Sequence, residues 1–312
     1  MTENIIKHKH DDYLVTAVAK EGLLRCVAVR STKLVKEARE IHDLSPASTV
    51  ALGRFMTGAL LMASDFKNND NKLSATIKSD GDISNIVVVA DYFGNVRGDI
   101  NNKHAPSYYH HEGKLNIGKS IGKGNLTIIK DLGLKEPYVG SVELASGEIA
   151  EDLASYYFYS EQIPTVIFLG VRLNPDGVVS SGGLLVQALP GVDDELLDWL
   201  ESRAMGFPDI SELLENKISP HQLIDLLIGE DVEYLAEKPV QYYCPSSKER
   251  MEKNLISLGE QELKELAEDK NGINLHCHFC SEDYHFSQSE VKAILEKAKL
   301  KSQTKINIID NM

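Results

Sequence analysis

Three cysteines near the C-terminal end of the chain are the residues whose type and spacing suggest chemistry. Cys277 and Cys280 form a C-x-x-C in "NLHCHFCSEDYHF", and Cys244 opens "CPSSKER" 33 positions before Cys277. Two thiolates with two residues between them can take adjacent corners around one metal ion, and a third cysteine in the same short segment points to zinc. A tetrahedral site wants four ligands. His276, His278 and His285 lie nearby, and any of them, or a water molecule, can close it. Ser246 is a poor zinc ligand. With Glu249 it has the S-x-x-E spacing of a capping box, so it is expected to start the helix that follows.

Other chemistries fit these residues less well. A dithiol oxidoreductase needs its first cysteine at a helix N-terminus, where the thiol pKa falls. "INLHCHFCSEDYHF" reads instead as strand, turn, strand. A zinc-ribbon interaction protein is the other alternative. Cys26, in the alternating stretch "LLRCVAV", reads as a small buried hydrophobe.

The elements that must position these residues follow from patterning. "YLVTAVA" and "GLLRCVAVR" read as two strands joined at Lys-Glu-Gly, followed by two helices. The second helix, from Pro46, is apolar on most faces and so is expected to be buried. "KLSATIKS", "NIVVVAD", "NVRGDI", "NLTIIKD", "YVGSVEL", "PTVIFLGVRL" and "GVVSSGGLLVQALPG" read as strands, and residues 147–162 as one helix. "GKSIGKGNL" lacks the spacing of a phosphate-binding loop and reads as a loop before a strand. "SEQIP" reads as a helix end before a strand. From Asp193 to about Tyr234 the chain reads as short acidic helices, each too short to persist undocked. The C-terminal module reads as helices around the cysteine hairpin, with Ser287 and Glu290 at capping-box spacing before the last of them. The fold class expected is α+β.

Composition narrows the function. With 312 residues, 42% of them hydrophobic, the chain can build more than one core. A net charge of −14 opposes contact with phosphate backbones, so no nucleic-acid partner is expected. No apolar run reaches the roughly 18 residues of a membrane helix. "MTENIIKHKHDDYL" has no leader pattern, and four cysteines do not make a secreted disulfide framework. The expectation is a cytoplasmic protein. There is no Walker loop, dinucleotide fingerprint or nucleophile elbow, and an enzyme is not expected.

The segments "TVALGRFMTGALL", "KSDGDISNIVVVAD", "VRGDI", "GKGNLTIIKD", "YVGSVELASGEIAEDLASYY", "SEQIPT" and "GGLLVQALPG", together with "CPSSKER" and "CHFC", resemble in order and over the whole length the redox-regulated heat-shock chaperones of the 33 kDa class. The resemblance implies an N-terminal core domain over residues 1–190, a metastable helical linker over 191–239 and a zinc-binding redox-switch domain over 240–312. It implies an ATP-independent holdase that binds unfolded client proteins, as a homodimer when activated. Cys244, Cys277 and Cys280 carry over as zinc ligands. Ser246 stands where that family has the second cysteine of a C-x-C, so Cys244 has no neighbour to pair with, and the redox disulfide expected is Cys277 with Cys280. The client-binding linker surface is expected at Leu196, Leu197, Leu200, Leu213, Leu214, Leu223, Leu226 and Leu227, packed on the core domain at rest.

Overall fold

The computed structural model describes residues 12–309. Residues 1–11, most of the stretch searched for a leader, lie outside the described residues. The chain divides into two compact units, Met1–Tyr243 and Cys244–Met312. Mixed helices and sheets make the fold α+β, as expected.

In the first unit, β1 (Tyr13–Ala19) and β2 (Leu24–Arg30) form a hairpin whose turn residues Lys20, Glu21 and Gly22 all have positive φ. Helices α1 (Thr32–His42) and α2 (Pro46–Ala63) follow. Ser45 caps α2 by accepting the Ser48 N–H, and Pro46 occupies the first turn, where its missing N–H has no partner to lose. Nearly every α2 side chain is buried, because the helix packs against strands of both sheets. Next come β3 (Lys72–Ser79), β4 (Asn85–Asp91), β5 (Asn95–Ile100), α3 (Ile117–Ile121), β6 (Gly124–Asp131) and β7 (Tyr138–Glu143). The glycine-rich stretch expected to be a loop thus contains the short helix α3.

The helix expected over 147–162 is shorter. Asp152 gathers the backbone N–H groups of Ala145, Ser146, Gly147 and Ile149 on its carboxylate. That fixes 145–149 as a turn, so α4 runs Ala150–Tyr156 and passes into a π-helical turn, Tyr157–Glu161. Glu161 of "SEQIP" is spent structurally, in an ion pair with Lys130. Strands β8 (Thr165–Asn174) and β9 (Gly177–Ala188) lead to α5 (Asp194–Met205), α6 (Ile210–Glu215), α7 (Pro220–Ile228), β10 (Val232–Pro239) and β11 (Gln241–Tyr242). One sheet has the order β10-β1-β2-β9-β8, the other β11-β5-β4-β3-β6-β7.

The helical reading of 193–234 holds only as far as Ile228. Gly229 and Asp231 both take positive φ, which stops the chain from continuing as a helix, and β10 instead pairs antiparallel with β1. The three helices dock on one face of the five-stranded sheet. Leu200, Leu214, Leu223 and Leu227 are buried against Val15, Ala17, Cys26, Ala28, Leu184 and Val186. These strand residues alternate with Leu14, Val27, Val29 and Leu185, which enter the main core on the other face. Leu196 and Leu213 pack partly buried on the same cluster. Leu197 is half-buried, and Leu226 is 47% exposed, against the packing expected of it. An amphipathic helix buries one stripe, and Leu226 falls outside the stripe that holds Leu223 and Leu227. Between Asp193 and Glu237 the chain has thirteen Asp and Glu against two Lys and Arg, and acidic residues such as Glu195, Asp198, Glu201, Glu212 and Asp225 are exposed.

Cys26 is fully buried in this cluster, and burial pushes its thiol pKa up to about 12, so it is inert. Asp12 is a costlier buried group. Its carboxylate accepts the Leu34 N–H at the start of α1, yet burial raises its pKa to about 6, against the stabilising backbone bonds. A folded pKa above the unfolded 3.8 means that the native state binds the extra proton. The protein is therefore favoured by this group as pH falls from about 6 toward 4, and it bears the cost of the charge above that window. Asp12→Asn keeps an acceptor for Leu34 and removes the charge. We expect it to raise unfolding stability at pH 7.5 by about 2–3 kcal/mol and to gain nothing at pH 4. Urea titrations at the two pH values measure this, and a destabilised variant at pH 7.5 would contradict it.

Candidate metal centre

The second unit contains α8 (Lys248–Leu258), α9 (Glu260–Leu266), β12 (Ile273–His276), β13 (Asp283–Phe286) and α10 (Gln288–Ile309). Leu255, Leu263, Phe286, Val291, Ile294 and Leu295 form most of its core. Ser287 and Glu290 cap α10 reciprocally, as their spacing indicates: each side chain accepts the other residue's N–H.

Strands β12 and β13 form an antiparallel hairpin, with Ile273 opposite Phe286 and His276 opposite Asp283. Cys277 and Cys280 sit in its turn. The Cys277 N–H donates to the Glu282 carbonyl at 2.9 Å, and the Ser281 N–H to the Cys277 carbonyl at 2.8 Å. Ser281 takes positive φ to close the loop. Cys244, at the start of the unit, brings its sulfur to 3.7 Å from that of Cys277. The three sulfurs all lie within 4.8 Å of one another. In a tetrahedral zinc–thiolate site, Zn–S bonds of about 2.3 Å put neighbouring sulfurs about 3.8 Å apart. The donor set and its spacing therefore fit a metal ion, and the three cysteines singled out in the sequence are the residues that fit it.

The histidines do not join them. Among the described residues the cluster of ligating atoms contains only the three thiols. His276 shares its Nδ1 with Asp283 at 2.8 Å, and His285 shares its Nδ1 with Asn274 at 2.8 Å. His278 packs edge-on against His276. Ser246 is the residue the sequence placed wrongly. The α8 cap is Ser247, which accepts the Arg250 N–H. Ser246 is left facing the cysteines, with its Oγ 2.9 Å from the Cys280 sulfur and 2.9 Å from the Tyr284 hydroxyl. The S-x-x-E pattern misled by one residue, because Ser247 caps just as well and the neighbouring serine was free to turn inward. Tyr284 was missed altogether. Its signal lay in the alternation of "YHF", which puts Tyr284 and Phe286 on one face of β13.

The thiols are electrostatically unequal. Burial opposes ionisation of Cys277, but hydrogen bonds from the backbone of Cys280 and Phe279 and from the two other thiols lower its pKa below the ordinary thiol value. Burial raises that of Cys280, as do its hydrogen bonds with Cys277 and Cys244. Of the two turn thiols, Cys277 is the one whose surroundings favour the thiolate. Neither turn cysteine sits at a helix N-terminus, the setting a dithiol oxidoreductase would need.

A mixed α/β core followed by a small hairpin module with a metal-competent thiol cluster is an arrangement that comparison with known proteins places in a family. The family profile described as Hsp33 protein matches residues 12–287. The 33 kDa chaperonin of Acetivibrio thermocellus is 42% identical over 288 residues, covering 92% of this chain and 97% of its own. That of Shouchella clausii is 41% identical over 293 residues, covering 93% and 99%. The crystal structure of the 33 kDa chaperonin (heat shock protein 33 homolog) of Thermotoga maritima superposes with a TM-score of 0.84 at 32% identity, over 92% of this chain and 98% of that one. The chain belongs to the Hsp33 protein family, a family of chaperones. No helix among the described residues is long and apolar enough to cross a membrane.

Proposed function

We propose that this protein is an ATP-independent, redox-regulated holdase of the cytoplasm, without enzymatic activity, that binds unfolded client proteins. The observation that carries the reading is the cluster of three thiols in a module with a small apolar core. Cys244, Cys277 and Cys280 would hold zinc, which when bound cross-links the hairpin turn to the segment preceding α8. The linker of 191–239, with its leucines at positions 196, 197, 200, 213, 214, 223, 226 and 227, is the proposed client surface, and the activated protein is proposed to dimerise.

A peroxide-class oxidant would act on the cluster as follows. Cys277, the turn thiol whose surroundings favour the thiolate, attacks the oxidant and becomes a sulfenic acid. Cys280 displaces its hydroxyl as water. One S–S bond forms, two thiols lose two electrons, and the peroxide is reduced. Two of the three sulfur ligands are then gone, and Cys244 remains a free thiol. The support for this pair is that Cys277 and Cys280 share one turn, with their sulfurs within 4.8 Å of each other.

The test is light scattering of a heat-denaturing client without nucleotide. Protein treated with peroxide under mild heat should suppress aggregation at least several-fold better than reduced protein. Mass spectrometry should find Cys277–Cys280 as the main bridge. Absence of suppression under every oxidising condition rejects the chaperone reading. A dominant Cys244–Cys277 bridge rejects the pairing alone.

A further inference from the structure

We propose that Ser246 supplies the fourth corner of the metal site, with Tyr284 as the residue that positions it. The inference rests on the zinc reading above and goes beyond it in assigning the corner that three cysteines leave open.

The geometry points to this residue rather than to a histidine. Ser246 Oγ is in hydrogen-bond contact with one member of the thiol cluster, Cys280, at 2.9 Å. The histidines that were the sequence candidates do not reach the cluster: His276 and His285 are paired elsewhere, and His278 packs on His276. Helix capping makes no demand on Ser246, because Ser247 does that work. The Tyr284 hydroxyl donates to Ser246 Oγ at 2.9 Å. A serine hydroxyl has one hydrogen and two lone pairs. Tyr284 takes one lone pair; a Cys280 thiolate can only accept, so against it the serine hydrogen faces the sulfur, and the second lone pair is left for a cation. Tyr284 is fixed in turn by the hairpin ladder, opposite Leu275 of β12. The site is then built from two pairs: Cys244 and Ser246 on either side of Pro245, and Cys277 and Cys280 in the turn.

Two consequences follow from exchanging a thiolate for a hydroxyl. The loaded site would carry one negative charge rather than two, and the oxygen binds zinc less strongly than a soft thiolate. The oxygen corner also cannot form a disulfide, so it survives oxidation unchanged.

Cobalt(II), competed against a chromophoric chelator, tests this on the full-length reduced protein under anaerobic conditions. Wild type should bind one cobalt ion with a tetrahedral ligand-field spectrum. Ser246→Ala should weaken binding by at least the roughly tenfold seen when a group that merely supports a ligand is lost, because here a ligand itself is removed. Tyr284→Phe should weaken binding several-fold in the wild-type background and leave it unchanged in the Ser246→Ala background, which a merely structural tyrosine would not do. Ser246→Cys should bind more tightly and raise the sulfur-to-metal charge-transfer band from a three-thiolate to a four-thiolate intensity. That variant keeps the test open should Ser246→Ala fold poorly. If wild type binds cobalt but Ser246→Ala binds equally well with the same spectrum, or if Tyr284→Phe costs the same in both backgrounds, the assignment of Ser246 is overturned while the zinc reading stands. If wild type binds no cobalt, both fall.

Discussion

Replacing Leu223 and Leu227 together by Asp should undock α5, α6 and α7 from the five-stranded sheet and, on the holdase function proposed above, make the protein active without oxidant. Both leucines are fully buried, in the cluster that joins the helices to β1, β2 and β9. Each buried leucine contributes about 1.5–3 kcal/mol, so the pair removes about 3–6 kcal/mol before the cost of burying two carboxylates is counted. Whole domains are stable by only about 5–15 kcal/mol. The loss falls on one side of the sheet, because the main core packs on the other face around α2. Amide exchange over residues 194–228 should therefore accelerate by roughly a thousandfold or more, while α2 and β3–β6 stay protected. Suppression of client aggregation by the reduced variant should approach that of oxidised wild type. Leu226→Asp is the control: at 47% exposure it should do little. Unchanged exchange in the double variant would show that the helices do not depend on this seam.

With zinc on the three thiols as proposed, stripping it from reduced protein should unfold residues 244–309 as a block. Among its described residues this unit has a core of eight buried apolar side chains, two of them alanines, for a segment of some seventy residues. Modules with so little core are usually held by a disulfide or a metal. In zinc-finger peptides the bound metal is worth an apparent 10–16 kcal/mol of folding, and even half of that exceeds the roughly 3–5 kcal/mol net that a core in a module this small supplies. A strong chelator should collapse the amide protection of α8, α9 and the β12–β13 hairpin, and added zinc should restore it. Two-dimensional amide spectra follow the loss and recovery. Protection that survives chelation would mean that the apolar cluster alone holds the unit and that the thiols are dispensable for its fold.

The sequence made the cysteines, the hairpin around them and the buried helix α2 legible, because each rests on local chemistry: a C-x-x-C spacing, alternation, and a helix with no polar face. What stayed hidden was decided by partners far along the chain. β10 is a strand because β1 offers it an edge, and nothing within "VEYLAEKP" outweighed the helical run before it. α4 begins late because the Asp152 side chain gathers four N–H groups upstream of it. Ser246 and Ser247 are adjacent and chemically alike, and only the position of Tyr284, 38 residues on, separates their roles. Leu197 and Leu226 show the limit of reading a leucine as core from its type: the helix stripe, not the residue, decides.

The acidic backs of α5–α7 acquire a different meaning once the helices leave the sheet. A segment that from Asp193 to Ile228 has an apolar stripe on one side and nine carboxylates against two cations has the make-up of an ionic surfactant. The stripe would adsorb to exposed apolar surface on a client, and the carboxylates would coat the resulting particle. Loaded complexes would then repel one another over a Debye length of about 8–10 Å at ordinary salt. They would stay dispersed as a charged colloid does, with no nucleotide spent. At about 1 M salt the range of that repulsion shrinks to about 3 Å, and complexes that scatter little light in dilute buffer would coagulate.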